Sequence, residues 1–169
     1  AEPFPPPRML RATDGRRWVP VHGIVPHSRA ATALDALDAT MRLAAEEVAS
    51  LDLRWSIACT AVGPGAVLVE ANLTWPGDRN PVVEQYLGES AAATTDVTST
   101  AVIGRLRGRL VDALDTIGAT HLQLGRLYPY RSRLDPVAGV VLDGLKQLLD
   151  PRCALNPGVL GLDPQPRGD

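Results

Sequence analysis

Few residues in this chain are suited to chemistry. There are three histidines, His22, His27 and His121, and two cysteines, Cys59 and Cys153. A zinc site needs several converging nitrogen or sulfur ligands. No Cys-x-x-Cys pair lies near the histidines, so the spacing gives a metal centre no support. Two cysteines without C-x-x-C spacing do not make a disulfide framework or a redox motif. Cys59 sits in an apolar run and reads as a small buried hydrophobe. There is no phosphate-binding glycine motif; the pair Gly63 and Gly65 is followed by Leu68 where G-x-G-x-x-G needs its third glycine. G-x-x-x-x-G-K-[ST], G-x-S-x-G and H-E-x-x-H are also absent. The chain holds no self-contained catalytic constellation. If it serves an enzyme, part of the chemistry comes from elsewhere.

The elements that position these groups can be read from hydrophobic period. Trp18 to Val25 is apolar and β-compatible, with Pro20 confining it to an edge or a strand start. Ser28 can cap the segment that follows, where Leu34, Leu37, Met41, Ala44, Val48 and Leu51 recur at helical spacing. Arg54–Val62 and Ala66–Trp75 read as strands around the turn Gly63-Pro64-Gly65. In the second strand Val67, Val69, Ala71 and Leu73 alternate with Leu68, Glu70, Asn72 and Thr74, so one face carries polar groups and can line something wet. A short helix is expected from Asn80 to Leu87, then a loop from Gly88 to Ser99. Val102, Leu106, Leu110, Val111 and Leu114 mark another helix, with Arg105, Arg107 and Arg109 on its solvated side. Thr120–Leu124 reads as a further strand. Pro136–Leu149 reads as a last helix, opened by proline and stopped by Asp150-Pro151. The expected fold class is α+β: an antiparallel sheet with helices on one face, resembling a ferredoxin-like half.

Composition bounds the function classes. The chain has 169 residues, 45% hydrophobic and 21% charged, which excludes a coiled coil and a wholly disordered chain. A formal net charge of −2 gives no footprint for nucleic acid. Lys146 is the only lysine, a background bias toward arginine rather than a recognition device. No apolar run is long enough to span a membrane, and no signal-peptide pattern opens the chain, so a cytoplasmic location is expected. The first residue is Ala, which suits a processed product or a fragment. Residues 1–14, with Pro3 and Pro5–Pro7, are expected to be an extended tail, and Asp163–Asp169 another.

Two stretches carry a family resemblance: 119–162, ATHLQLGRLYPYRSRLDPVAGVVLDGLKQLLDPRCALNPGVLGL, and 67–87, VLVEANLTWPGDRNPVVEQYL. With the opening RRWVPVHGIVPHSRAATALDALD, they resemble the C-terminal part of FAD-linked oxidases of the vanillyl-alcohol oxidase and p-cresol methylhydroxylase type. The resemblance spans roughly 15–162. It implies that 15–150 is part of a cap, or substrate, domain, and that 151–169 is a C-terminal segment that packs on a flavin domain. The FAD-binding domain itself is absent from this chain and becomes its implied partner, alongside a small-molecule substrate. FAD would be held mainly by that partner, without a covalent bond to this chain. The implied activity is oxidation of an alcohol or 2-hydroxy acid by hydride transfer to flavin.

Residue by residue, the resemblance gives His121 a place near flavin and substrate, where an imidazole takes a hydroxyl proton. Gln123, two positions on, would share its strand face. Arg126, Tyr128, Tyr130 and Arg131 follow as substrate or flavin-domain contacts. Glu70, Asn72 and Trp75 lie on the strand that lines the family's pocket, and Asn156 is placed near the flavin. Three departures stand out. Gly118-Ala119 replaces the Tyr-Arg pair of phenol-oxidising members, which favours a hydroxy acid or non-phenolic alcohol. Arg17 stands near the position that tethers FAD in some members and cannot form that bond. Cys153 replaces a glycine, at a cost of about 1 kcal/mol if the position needs positive φ. The alternative reading is a non-catalytic, stand-alone cap-like module, a degenerate flavoprotein subunit that binds a partner or ligand. An isolated cap should also expose an apolar patch, with Tyr128, Tyr130, Leu155 and Val159 contributing.

Overall fold

A computed structural model describes residues 17–76, 97–123 and 125–162. The tails and the expected helix at 80–87 lie outside the described residues. The chain divides into two compact units, Ala1–Thr120 and His121–Asp169.

The first unit is an α+β layer. Strand β1 (Arg17–Pro26) leads through a 3-10 turn at His27–Arg29 to helices α1 (Ala30–Leu43) and α2 (Ala45–Ser50). Strands β2 (Arg54–Ala61) and β3 (Ala66–Trp75) form a hairpin, and helix α3 spans Val97–Thr116. The sheet order is β1-β3-β2, and β3 is antiparallel to both neighbours. β1 and β2 are thus parallel with β3 inserted between them, a split β-α-β arrangement. Among the described residues, the expected strand after α3 is reduced to one bridge, Thr120 against Ile24, with backbone bonds of 2.9 and 2.7 Å. The edge of β1 explains why it stops. The outward backbone positions are the even residues, and Pro20 and Pro26 have no N–H to offer there.

Side-chain period decides what the sheet covers. Val21, Val25, Val69, Ala71, Leu73 and Trp75 are odd-numbered and buried. They face Ala33, Leu37 and Met41 of α1 and Leu106, Leu110 and Leu114 of α3, all buried as well. Gly23 belongs to this face because a Cβ there would stand 2.9 Å from Ala119 Cβ. The expected single helix breaks at Ala44 (φ −98°, ψ 17°), whose N–H turns to Met41 O at 3.2 Å. Ser28 makes no cap; the chain enters α1 from the 3-10 turn with no side-chain capping bond. Cys59 is exposed rather than buried, because it lies on β2 at the edge of the sheet. Arg105 and Arg109 are not merely solvated: both pair with Glu47 of α2, Arg109 at 2.8 Å.

The second unit holds a single helical turn, α4 (Tyr130–Arg133), helix α5 (Pro136–Leu149) and a 3-10 turn at Val159–Gly161. Asp135 caps α5, accepting from Val137 N at 2.9 Å and Ala138 N at 3.4 Å, with Pro136 in the first turn. Among the described residues no helix is long and apolar enough to cross a membrane.

Candidate functional site

In the first unit the polar groups gather on the sheet face that turns away from the core. Even-numbered residues define it: Trp18, His22, Leu68, Glu70, Asn72 and Thr74. Trp18 Nε1 donates to Asn72 Oδ1 at 2.7 Å, which fixes the amide, and Asn72 Nδ2 reaches toward Glu70 O at 3.5 Å. Glu70 is half-buried and stands opposite His22 in the β1–β3 register. Both backbone groups of Ile24 bond to Thr120, so even residues of β1 point their backbone away from β3. His22 and Glu70 are therefore a non-hydrogen-bonded pair, the kind whose side chains approach most closely. His22 is 3% exposed. The face offers the Glu70 carboxylate and the oriented Asn72 amide to a small polar ligand, with His22 buried beside them. Sequence reading singled out Glu70 and Asn72 but not His22 or Trp18. Strand parity across Pro20 was the available signal.

Trp75 does not share this face. Odd numbering turns it into the core, where it is 4% exposed with the Arg17 guanidinium 5.4 Å from its ring. Its Nε1 has no hydrogen-bond partner among the described residues. Trp75 is thus set on the opposite face from Glu70 and Asn72.

In the second unit His121 stacks on the buried Tyr128, with ring centroids 4.4 Å apart and planes 30° off parallel. His121–Gln123 are not in a strand, so Gln123 sits exposed in a bend and strand alternation does not relate it to His121. Tyr130 is half-buried at the start of α4. The two arginines are engaged within the unit. Arg126 donates to the Pro157 carbonyl, and Leu160 N bonds Gly125 O at 3.1 Å, which ties the 125–126 segment to the C-terminal turn. Arg131 pairs with Asp143 across α5, over Gly139, whose missing side chain leaves room for the guanidinium.

The D-P-R-x-x-x-N-P-G segment forms a tight multiple turn. Asp150, nearly buried, accepts Ala154 N and Leu155 N, both at 2.9 Å, and the Lys146 ammonium at 2.5 Å. The Lys146 hydrogen bond, followed by the Leu155 N–H, holds the Asp150 carboxyl below the usual carboxylate range. Cys153 and Asn156 both adopt φ +47°, and Leu160 φ +62°. The glycine-like geometry expected at Cys153 is present. Asn156 is exposed at the apex of this turn.

Helix α5 is amphipathic in an inverted sense. Gly139, Asp143 and Lys146 face their own unit through Arg131 and Asp150. Val137, Val140, Val141, Leu145, Leu148 and Leu149 face outward, with Val137 71% and Leu148 77% exposed. Leu155 joins the exposed apolar residues; Tyr128 does not, being buried, and Tyr130 and Val159 are half-buried. Among the described residues no group of His, Cys, Asp or Glu could hold a metal.

No family model, curated protein or solved structure matches this chain.

Proposed function

We propose that this chain is the cap and C-terminal portion of an FAD-dependent oxidoreductase that oxidises an alcohol or 2-hydroxy acid, and that it works only with a flavin-domain partner. The observation that carries this reading is the uncovered apolar face of α5. Apolar patches of this kind mark interaction surfaces on soluble proteins, and α5 runs directly into the 151–169 segment that the resemblance assigns to flavin-domain packing. A bound flavin would supply the two-electron acceptor.

The residues fit such a division of labour. Asn156 offers both an amide N–H donor group and a carbonyl acceptor at an exposed turn, suited to the edge of a flavin ring. Arg17 brings no nucleophile to a covalent tether, so the cofactor is held without a bond to this chain. The roles of this chain are positional and acid–base. His121, oriented by its stack on Tyr128, takes the substrate hydroxyl proton. Glu70 and the amide of Asn72 hydrogen-bond polar groups of a small ligand.

The test is the visible absorption spectrum of the chain purified natively from its source, before and after addition of 2-hydroxy acids. Flavin bands that bleach with one of these acids are expected. The non-catalytic alternative is favoured by one observation, the engagement of Arg126 and Arg131 by Pro157 and Asp143. It predicts a colourless preparation.

A further inference from the structure

Among the described residues, the outer edge of β2 carries none of the usual protections of a sheet edge. Val62 N bonds Ala66 O at 3.0 Å, and the β2–β3 register sets even residues opposite even residues. The backbone groups of Ser56, Ala58 and Thr60 therefore point into the hairpin, and those of Trp55, Ile57, Cys59 and Ala61 point outward. Among the described residues no strand lies on that side. Exposed edges are normally blunted by proline, charge, bulges or short length. The opposite edge of this sheet has such guards: Pro20, Pro26 and the Thr120 bridge. β2 runs for eight residues in unbroken register, with no proline and no charge from Trp55 through Ala61.

We propose that β2 pairs antiparallel with β2 of a second copy of this chain, across a two-fold axis, to give one continuous sheet. A second copy fits because self-pairing sets a segment against itself, which is penalised where like charges oppose. The uncharged run has nothing to oppose. With the axis at Ala58, Ile57 faces Cys59 and Trp55 faces Ala61, while Arg54 falls opposite Val62 at the turn. The outward N–H and C=O groups of odd residues then satisfy one another. The half-exposed Trp55 and Ile57 gain cover on the side that already meets the core. The pairing is independent of the oxidoreductase reading.

Sedimentation velocity of the 169-residue chain under reducing conditions tests it, across a range of concentration. The expected result is a species of twice the chain mass. Cys59→Pro removes an outward N–H that the β2–β3 ladder does not use, and should restore the single-chain mass. Cys59→Lys places a charge on the same edge and should do the same, with an unchanged circular dichroism spectrum that shows the fold is kept. A wild-type chain that stays monomeric at its highest soluble concentration overturns the proposal. So does a dimer that persists in a folded Cys59→Lys variant, since that would put the contact elsewhere.

Discussion

Asp150 Oδ2 accepts the backbone N–H of Leu155 at 2.9 Å, and Lys146 closes the same turn by donating to Asp150 Oδ2 at 2.5 Å and to Leu155 O at 2.6 Å. One carboxylate and one ammonium thus tie the end of α5 to the segment that follows it. This is the physical content of the Asp-Pro-Arg motif: the aspartate is a structural acceptor.

A pH dependence follows with a definite sign. The folded Asp150 carboxyl titrates below its unfolded value, chiefly through the Lys146 hydrogen bond and then the Leu155 N–H. The native state therefore binds this proton more weakly than the unfolded chain does. Its stabilisation is complete above the ordinary aspartate pKa of about 3.9 and is lost as pH falls through the lower, folded value. Asp150→Asn should lower the Tm at pH 7. It should also flatten the part of the acid-unfolding curve that this group supplies, as followed by circular dichroism.

Cys153 stands at φ +47°. A non-glycine residue there pays for the left-handed conformation, so Cys153→Gly should stabilise the turn by up to about 1 kcal/mol, less what glycine gives back in the unfolded chain. Urea unfolding of the two proteins in reductant measures the difference. A clear loss of stability in the variant would mean that the Cys153 side chain packs better than its half-buried position suggests.

Gly23 closes the first unit's core from the sheet side. A Cβ would meet Ala119 Cβ at 2.9 Å and the two methyls of Leu114 at 3.4 Å. Gly23→Val should therefore cost about 1–3 kcal/mol by overpacking. The same unfolding assay reads it, with Gly65→Ala as a control at a position with open space around it.

Much of this fold was legible because period and punctuation agreed with tertiary demand. β3 and α5 run where the sequence placed them, Ala66–Trp75 and Pro136–Leu149, and Pro20 does lie on an edge strand. The failures share a cause. The spacing of Leu37, Met41, Ala44 and Val48 continues smoothly, and no residue type marks the break at Ala44. Thr120–Leu124 has strand-like residues, but a strand also needs a partner edge, and β1 lacks donors at Pro20 and Pro26. The bounds of α5 were readable but not which face turns inward: Arg131 and Asp150 draw Asp143 and Lys146 toward their own unit. Of the candidate site, the parity of Glu70 and Asn72 was readable. The place of His22 depends on the β1–β3 register, and the same parity sets Trp75 on the core face.

His121 provides the test of chemistry within the proposed reaction. His121→Phe keeps an aromatic ring for the stack on Tyr128 and removes both ring nitrogens. Loss of a general base typically costs about 10²–10⁴-fold, so substrate-driven flavin reduction should slow by that order. Thermal stability should stay near that of the parent chain. His121→Ala should slow the reaction and also lower the Tm. Equal reduction rates in all three proteins would remove His121 from the chemistry.

The most direct test of the central claim measures flavin content per chain in native preparations of three proteins: the parent, Val141→Asp and Leu43→Asp. Val141 lies within the outward apolar face of α5, whereas Leu43, 88% exposed, ends α1 in the other unit. The account predicts flavin bands with the parent and with Leu43→Asp, and their loss with Val141→Asp. A parent preparation without flavin, or full flavin content in Val141→Asp, would contradict it.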